Sequence, residues 1–371
     1  MKAKLKINIL DFDDIRNPLL NAGQARSTFE ISRRLVKMGL KVTVISSKYP
    51  GFKDRIEEGI VYKHIGLGSN NIKLNNVVFI LAMPFSVKKL QTDLIIECMT
   101  APISTLLTPL FTKSPVVLLP SMFNAGEFSK KYHLPFHLVE KFGMKLYRYI
   151  MPYSDVDFSK ARQLNPEIIG KKIPQGVSRE YFRISHKKPK HILFLGRLDI
   201  AQKGIELLLM AYAKIKNEIG YPLVIAGHGP DEKKVRSLIS KLKLNSYVKL
   251  AGPAYNGIKS RLISESLMVA FPSRHDEMSL WSLEALASGL PLVIFDLPEF
   301  KWVKNQVVFK AKSFDTDDYA DKMLLAAKKA ESKSLGSKCR NFAKMFSWDT
   351  VADEYKSFIF NVLNRENKII Q

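Results

Sequence analysis

Short runs of consecutive apolar residues alternate along this chain with segments whose apolar positions recur every three or four residues. KLKINIL (Lys4 to Leu10) is the first run and reads as a strand. After a loop, Ala25 to Met38 places Ile31, Leu35 and Met38 on one helical face, and Gly39 is a plausible helix stop. KVTVISS follows as a second strand. GIVYKHIG, TDLIIEC and SPVVLLP continue the series, and SDVDFSKA (Ser154 to Ala161) and EIIGKKIPQGV (Glu167 to Val177) close it. A polar, lysine-rich stretch, Ser178 to Lys190, then interrupts the pattern. Beyond it HILFLG, PLVIAG, YVKLAG, LMVAF and PLVIF read as strands, with helices over Gly204 to Asn217, over Asp231 to Leu242 and from about Ser279. One more amphipathic helix covers Trp348 to Leu363.

Strands without polar alternation are buried on both faces, and helices between them supply the cover, so the pattern predicts parallel sheets of the α/β class. The expected architecture is two Rossmann-like domains, residues 1–180 and 190–345, joined near Ser178 to Lys190. Residues 346–371 are expected to form a C-terminal helix that packs back on the first domain.

Composition narrows the class. Lys and Arg total 58 against 35 acids, a formal charge of +23 over 371 residues. Such an excess fits nucleic acid, an anionic membrane face or a phosphorylated small substrate, and charge alone does not choose among them. The two cysteines, Cys98 and Cys339, stand far apart and match no metal-ligand spacing, so a disulfide framework or zinc site is not expected, and a reducing cytoplasm is the default compartment. The first residues, MKAKLKINILDFDD, lack the long apolar core of a signal peptide. The longest apolar runs, Val77 to Val87 and Cys98 to Thr112, fall short of the roughly 20 residues a spanning helix needs. A cytoplasmic protein, peripheral at most to the membrane, is expected.

Ligands of open parallel sheets bind outside the carboxyl ends of the strands, so the residues after each strand carry the functional reading. After HILFLG come Arg197 and Lys203, where a strand gives way to a helix start. A helix N-terminus and two cations can hold a diphosphate, with Arg gripping two oxygens and Lys acting as a point charge. The competing reading is two ordinary surface bases. After PLVIAG come His228 and Gly229; glycines on both sides of His228 permit close backbone approach to a ligand, or simply a tight turn. After LMVAF comes PSRHDEMSLWSLEALASG, with Asp276, Glu277 and Glu284. Ser279 is a candidate N-cap, and the neighbouring amides can face a phosphate. Dipole preference for acids in a first turn explains Asp276 and Glu277 but not Glu284, whose carboxylate can accept the two hydroxyls of a ribose.

In the first half, Gly23 precedes a helix and can admit a phosphate or sugar. Asp11, Asp13 and Asp14 raise a divalent-metal cluster, set against capping and loop solvation. No second acidic cluster joins them, so no metal is expected. Ser129 to Tyr153 mixes Lys130, Lys131, Lys141, Lys145 and Arg148 with Tyr132, Phe136, Phe142, Tyr147 and Tyr149. That composition suits a helix on an anionic lipid surface, a stacking surface for nucleic acid, or a core helix with a basic outer face.

Three strings in the second half, FLGRLDIAQKGIELLLMAY, VIAGHGP and FPSRHDEMSLWSLEALASGLPLVIFD, resemble in order and spacing the retaining glycosyltransferases of family four, the glycosyl transferases group 1. KIPQGVSREYF (Lys172 to Phe182) resembles the family's domain junction, and NAGQARSTFEISRRLVKMGLKVTVIS matches the first half more loosely. The resemblance implies the GT-B fold, two Rossmann-like domains facing each other across a cleft. It implies an acceptor-side first domain and a second domain that binds a nucleotide sugar. By analogy Arg197 and Lys203 hold the diphosphate and Glu284 binds the ribose. Asp276, at the first of two paired glutamate positions, contacts the donor sugar, and Met278, Ser279 and Leu280 supply the backbone that cradles phosphate and sugar. The family transfers with retention and usually needs no metal, so no cofactor is expected. The partners implied are a nucleotide sugar and a hydroxyl acceptor, a glycan or a lipid-linked one; the net charge fits an anionic membrane surface as a further partner, and no specific nucleic acid is expected.

The sequence departs from the family pattern in places. Asp276 is one methylene shorter than the usual Glu, Glu277 and Ser279 stand where glycines are common, and Ala22 precedes Gly23 where two glycines are often paired. Pro120 and Ser121 occupy the place where many members carry a His, so no first-domain catalytic residue is assigned. The alternatives carried are a nucleotide-sugar epimerase or an inactive donor-binding relative on the same fold and, more remotely, a non-enzymatic basic protein that binds nucleic acid.

Overall fold

The computed structural model describes residues 4–370 except 21, 22, 100–102, 104, 121, 122, 124, 277, 305 and 331. Ala22, Ser121 and Glu277 thus lie outside the described residues. The chain forms two compact units, residues 1–175 with 348–371, and residues 176–347.

Unit 1 holds an eight-stranded sheet. Its strands are β1 (Lys6–Leu10), β2 (Lys41–Ser47), β3 (Arg55–Glu57), β4 (Ile60–Ile65), β5 (Leu94–Cys98), β6 (Val116–Leu119), β7 (Tyr149–Ile150) and β8 (Ile169–Gly170), in the order β3-β4-β2-β1-β5-β6-β7-β8. Every pairing is parallel except β3 with β4. Each residue of β5 and β6 is buried, which is why β6 reads as an unbroken apolar run and β5 as one interrupted only by Glu97. Helices α1 (Gly23–Lys37), α2 (Ile72–Val87), α3 (Ala125–Tyr132), α4 (Phe136–Gly143) and α5 (Asp155–Leu164) make the crossovers.

Two expectations are corrected here. Ser154 to Ala161 does not continue the strand series: Ser154 caps α5, its Oγ accepting from Asp157 N at 3.1 Å. Asp155 and Asp157 then sit in the first turn, where the helix dipole favours acids. Ser129 to Tyr153 is not one helix. Pro135 and the left-handed backbone of His133 (φ 54°) separate α3 from α4, and the stretch ends as β7.

Unit 2 holds a six-stranded, fully parallel sheet: β9 (His191–Leu195), β10 (Leu223–Ala226), β11 (Val248–Gly252), β12 (Ser266–Phe271), β13 (Leu292–Phe295) and β14 (Val308–Ala311), in the order β11-β10-β9-β12-β13-β14. Its helices are α6 (Arg179–Phe182), α7 (Ile200–Lys203), α8 (Ile205–Ile215), α9 (Glu232–Lys241), α10 (Asn256–Ser264), α11 (Leu280–Ser288), α12 (Thr316–Ala330) and α13 (Lys333–Ala343). Ser178 to Lys190 lies within this unit. His186 Nε2 donates to Ser288 O at 2.6 Å, and Lys187 N donates to Ser264 O at 2.9 Å. The last helix, α14 (Trp348–Ile370), belongs to unit 1, where Arg34 of α1 reaches Asp349 at 2.8 Å and Tyr149 of β7 donates to Glu366 at 2.5 Å. No helix among the described residues is long and apolar enough to cross a membrane.

The three aspartates after β1 take different partners. Asp11 accepts from Thr28 Oγ1 at 2.5 Å, Asp14 receives both Arg55 Nη atoms (2.7 and 2.8 Å) and faces His64 Nε2 at 2.8 Å, and Asp13 Oδ1 accepts from Asp14 N at 2.9 Å. Among the described residues no group of three or more His, Cys, Asp or Glu is arranged to hold a metal ion. Burial pushes the Asp11 carboxyl up to about 7, with the Thr28 hydrogen bond only partly opposing it. Burial also works against the ionised form of Asp14, but hydrogen bonds from His64 and Arg55 outweigh it and hold that carboxyl well below the usual range.

The two shifts have opposite consequences for stability. Asp14 stabilises the folded state above about pH 4, and that contribution is lost on acidification. Asp11 stays protonated in the fold while the unfolded chain ionises from about pH 4 upward. Stability should therefore fall as pH rises toward 7, by on the order of 4 kcal/mol in total for that shift. Asp11→Asn should flatten the fall in melting temperature between pH 5 and 8. An unchanged slope in a calorimetric pH series would show that Asp11 is not the group responsible.

Candidate functional site

The strand order of unit 2 reverses at β9: the chain runs outward through β10 and β11, then returns to add β12 on the other side. At such a reversal the loops after the two adjoining strands leave in opposite directions and open a crevice at the sheet's carboxyl edge. The loop after β9 and the loop after β12 are the two walls.

These walls are bonded together. Arg274 N donates to Gln202 O at 2.9 Å, Ser273 Oγ donates to the same carbonyl at 3.2 Å, and Arg274 Nη1 donates to Ile200 O at 3.0 Å. Arg274 also pairs with Glu206. The short α7 is capped by Asp199, whose side chain accepts from Gln202 N at 3.1 Å, and its last residue is Lys203. The Lys203 ammonium pairs with Asp276 from the β12 loop and lies 5.5 Å above the Phe271 ring. Both partners are about 15% exposed (14% and 15%), enough shielding to strengthen the attraction and enough access for a ligand to join it.

A third loop, after β10, closes on the first. Leu198 N donates to His228 O at 3.0 Å, and Ile200 N donates to Asp231 Oδ2 at 3.0 Å. A Cβ on Gly227 would come within 1.9 Å of Gly196 O, and one on Gly229 within 2.4 Å of Leu198 O. The glycines flanking His228 are therefore required by the approach of two strand-end loops to each other, a structural need that the sequence reading did not separate from ligand approach. The His228 side chain itself is exposed.

Helix α11 starts at Leu280 with Ser279 as its N-cap; Ser279 makes no side-chain cap hydrogen bond, and Met278 beside it is buried. Glu284, on the second turn, receives Lys259 Nζ of α10 at 2.5 Å. Lys259 is held between two rings, 5.1 Å from the centroid of Tyr181 and 5.3 Å from that of Trp281. The structure thus brings Lys203 to Asp276 and pairs Glu284 with a cation that the sequence reading had not singled out. Lys259 was one base among 58, and only its side of α10 distinguishes it. Arg197 is exposed, and its guanidinium has no side-chain partner among the described residues. Gly23 belongs to unit 1, where it opens α1 and its carbonyl accepts from Ser27 Oγ at 3.0 Å.

The family model described as Glycosyl transferases group 1 matches residues 178–344, nearly all of unit 2. Unit 2 carries the match to the group 1 glycosyl transferases. An uncharacterized glycosyltransferase of Methanocaldococcus jannaschii is 28% identical over 169 residues, which is 44% of this chain and 43% of that protein. The aligned stretches span less than half the length of the curated relatives. Among solved structures, sucrose-phosphate synthase from Thermosynechococcus elongatus superposes with a TM-score of 0.79 at 15% identity, covering 98% of this chain and 100% of that one. The Anabaena protein HepE, crystallised with UDP and glucose, superposes with a TM-score of 0.71 at 15% identity, covering 96% and 99%. These likenesses assign the GT-B fold to the whole chain.

In unit 2 the contact of Gly229 with Leu198 yields a direct test. Gly229→Ala should destabilise unit 2 by about 2 kcal/mol or more, because a backbone carbonyl has to move. His228→Ala, at an exposed side chain, should change stability by less than about 0.5 kcal/mol. Denaturant titration of both variants checks the contrast; equal effects would mean that the loops do not approach as described.

Proposed function

We propose that the protein transfers a sugar, with retention of configuration, from a nucleotide diphosphate sugar to a hydroxyl acceptor. The observation that carries the reading is the meeting of Lys203 and Asp276 from the two strand ends that flank the order reversal of unit 2. A cation at that rim serves a departing diphosphate. An acid beside it serves a sugar hydroxyl.

Lys203 acts on the leaving group. As the bond between the anomeric carbon and the diphosphate oxygen breaks, the electron pair stays on that oxygen, and a pre-placed ammonium stabilises the charge that develops. Asp276 holds the ammonium in place before the donor arrives. Lysine carries three donors, so one can remain on Asp276 while others face phosphate oxygens. Arg197, exposed and without a side-chain partner among the described residues, is the second cation for the diphosphate. The start of α11, with Met278, Ser279 and Leu280, faces the phosphate and sugar, and His228 and Gly229 line the neighbouring rim. Glu284 accepts the ribose hydroxyls, with Lys259 fixing its carboxylate. The acceptor hydroxyl attacks the anomeric carbon from the face the leaving group occupies and passes its proton to the departing phosphate oxygen, and no metal takes part. A glycan or lipid-linked hydroxyl is the acceptor class; a lipid carrier agrees with the large excess of positive charge. The group 1 match and the likeness to a protein crystallised with UDP and glucose support this assignment of chemistry.

A thermal-shift screen against nucleotide sugars should find one that stabilises the protein, by about 2.7 kcal/mol at a hundred times its dissociation constant. Lys203→Ala should lower turnover at saturating donor by about a hundredfold or more. Unchanged turnover would remove the leaving-group role, and a screen in which no nucleotide sugar shifts melting would remove the reading altogether. Activity should survive a chelator; loss that magnesium or manganese restores would overturn the metal-free mechanism.

A further inference from the structure

Helix α2 runs fourteen residues, Leu74 to Val87, without a charged side chain. Its inner face packs on the sheet of unit 1 through Asn75, Phe79, Met83 and Val87, all buried. Its outer face is also apolar: Leu74 is 43% exposed, Val77 53%, Leu81 65% and Phe85 70%. Their spacing of three and four residues puts them in one stripe. A surface helix of a globular protein ordinarily turns polar residues outward, so this stripe is unpartnered.

The stripe is part of a larger patch in the same unit. Helix α2 contacts the 3-10 turn Thr108–Leu110, whose Leu110 is 59% exposed. The chain just before that turn lies against α4: a Cβ on Gly143 would touch Thr105 and Leu107. In and just before α4, Leu134, Leu138 and Phe142 are further exposed apolar side chains of this unit. At the N-terminal end of α2, Lys73 Nζ lies 5.8 Å from the centroid of Tyr132 in α3, which ties the two ends of the patch together.

Positive charge frames the apolar area. Lys73 precedes the stripe and Lys88 and Lys89 follow it, while Lys131, Lys141 and Lys145 flank Phe142 and Tyr132. The acid on α3, Glu127, is already paired with Lys130 at 3.2 Å. Two copies of this face pressed together would set lysine against lysine, so a self-association through it is opposed by its own rim. An apolar stripe between lysines matches the acyl boundary and the phosphates of an anionic bilayer.

We propose that unit 1 docks on an anionic membrane surface through α2, with Leu81 and Phe85 entering the headgroup–acyl boundary, the α4 stripe beside them and the surrounding lysines on lipid phosphates. The helix lies along the interface, since it is too short to span. The surface is independent of the sugar-transfer reading and would stand if that reading failed.

Vesicle flotation of the full chain tests it, with phosphatidylcholine vesicles that contain or lack phosphatidylglycerol and with no sugar donor present. The protein should float with the anionic vesicles, less so as salt is raised. Leu81→Glu with Phe85→Glu should weaken binding at least about tenfold. Lys88→Ser and Lys89→Ser should each weaken it about fivefold. All four side chains are exposed, so melting temperature and any nucleotide-sugar shift should match the parent chain, which separates lost docking from lost folding or lost donor binding. No binding to anionic vesicles, equal binding to neutral ones, or binding unchanged in the Leu81/Phe85 variant would overturn the proposal. So would light scattering that shows a dimer dissociated by Leu81→Glu and Phe85→Glu.

Discussion

A strand buried on both faces of a parallel sheet has no room for chemistry along its length, so everything reactive is forced to its carboxyl end. That constraint governs unit 2. All six residues of β12 and four of the five in β9 are buried, and apart from a Ser266–His191 hydrogen bond at 3.0 Å inside the sheet their interior side chains are apolar. The first positions free to carry function are those where the chain leaves the sheet. Because the strand order reverses at β9, two of these exits adjoin, and the loops must be fastened to each other before any ligand arrives. The hydrogen bonds from the Arg274 backbone and the Arg274 and Ser273 side chains to the carbonyls of Gln202 and Ile200 do this, and the Lys203–Asp276 pair sits on the frame they make.

That arrangement accounts for acids in so basic a chain. An ammonium at the rim with no neighbour would sample many rotamers, and ordering it on a diphosphate would cost side-chain entropy at the moment of binding. In the proposed reaction Asp276 removes much of that cost by holding Lys203 beforehand. Glu284 and Lys259 repeat the device one loop away, with Tyr181 and Trp281 restricting the lysine from both sides. Each acid is matched by a base drawn from another element, so the site is a lattice of charges set by tertiary structure.

Sequence carried the strands of unit 2 well because burial on both faces writes an unambiguous signal: HILFLG, PLVIAG, LMVAF and PLVIF each fall on a strand. It carried less where burial is partial or local geometry decides. β14, half of it incompletely buried, left no clear run, and α12 and α13 were not read. In unit 1 the short β7 and β8 give two residues each, too few for a period, and the capping serine at 154 outweighed the alternation that followed it. At the site, Lys203 and Asp276 are legible from their places after strands, whereas Lys259 is mid-helix and becomes notable only through what α10 packs against. The glycines around His228 were legible as special, but their reason, two loop backbones in contact, exists only in three dimensions.

Helix α2 shows the limit most clearly. A helix apolar on all sides has no periodic contrast, so from sequence it is a short apolar run and nothing more. In the fold its two faces meet different surroundings: Phe79 and Met83 are enclosed by the core of unit 1, while Leu81 and Phe85 stand outside it. The sequence cannot distinguish these, because the residue types that satisfy a protein interior also satisfy a lipid one. Charge breaks the tie. The lysines stop at the ends of α2 and resume around α4, which leaves the apolar face clear and places cations at its margin. A net charge of +23 spread evenly would give only general attraction to anions; concentrated beside an exposed apolar stripe, part of it would orient the chain in the proposed docking on a negatively charged boundary.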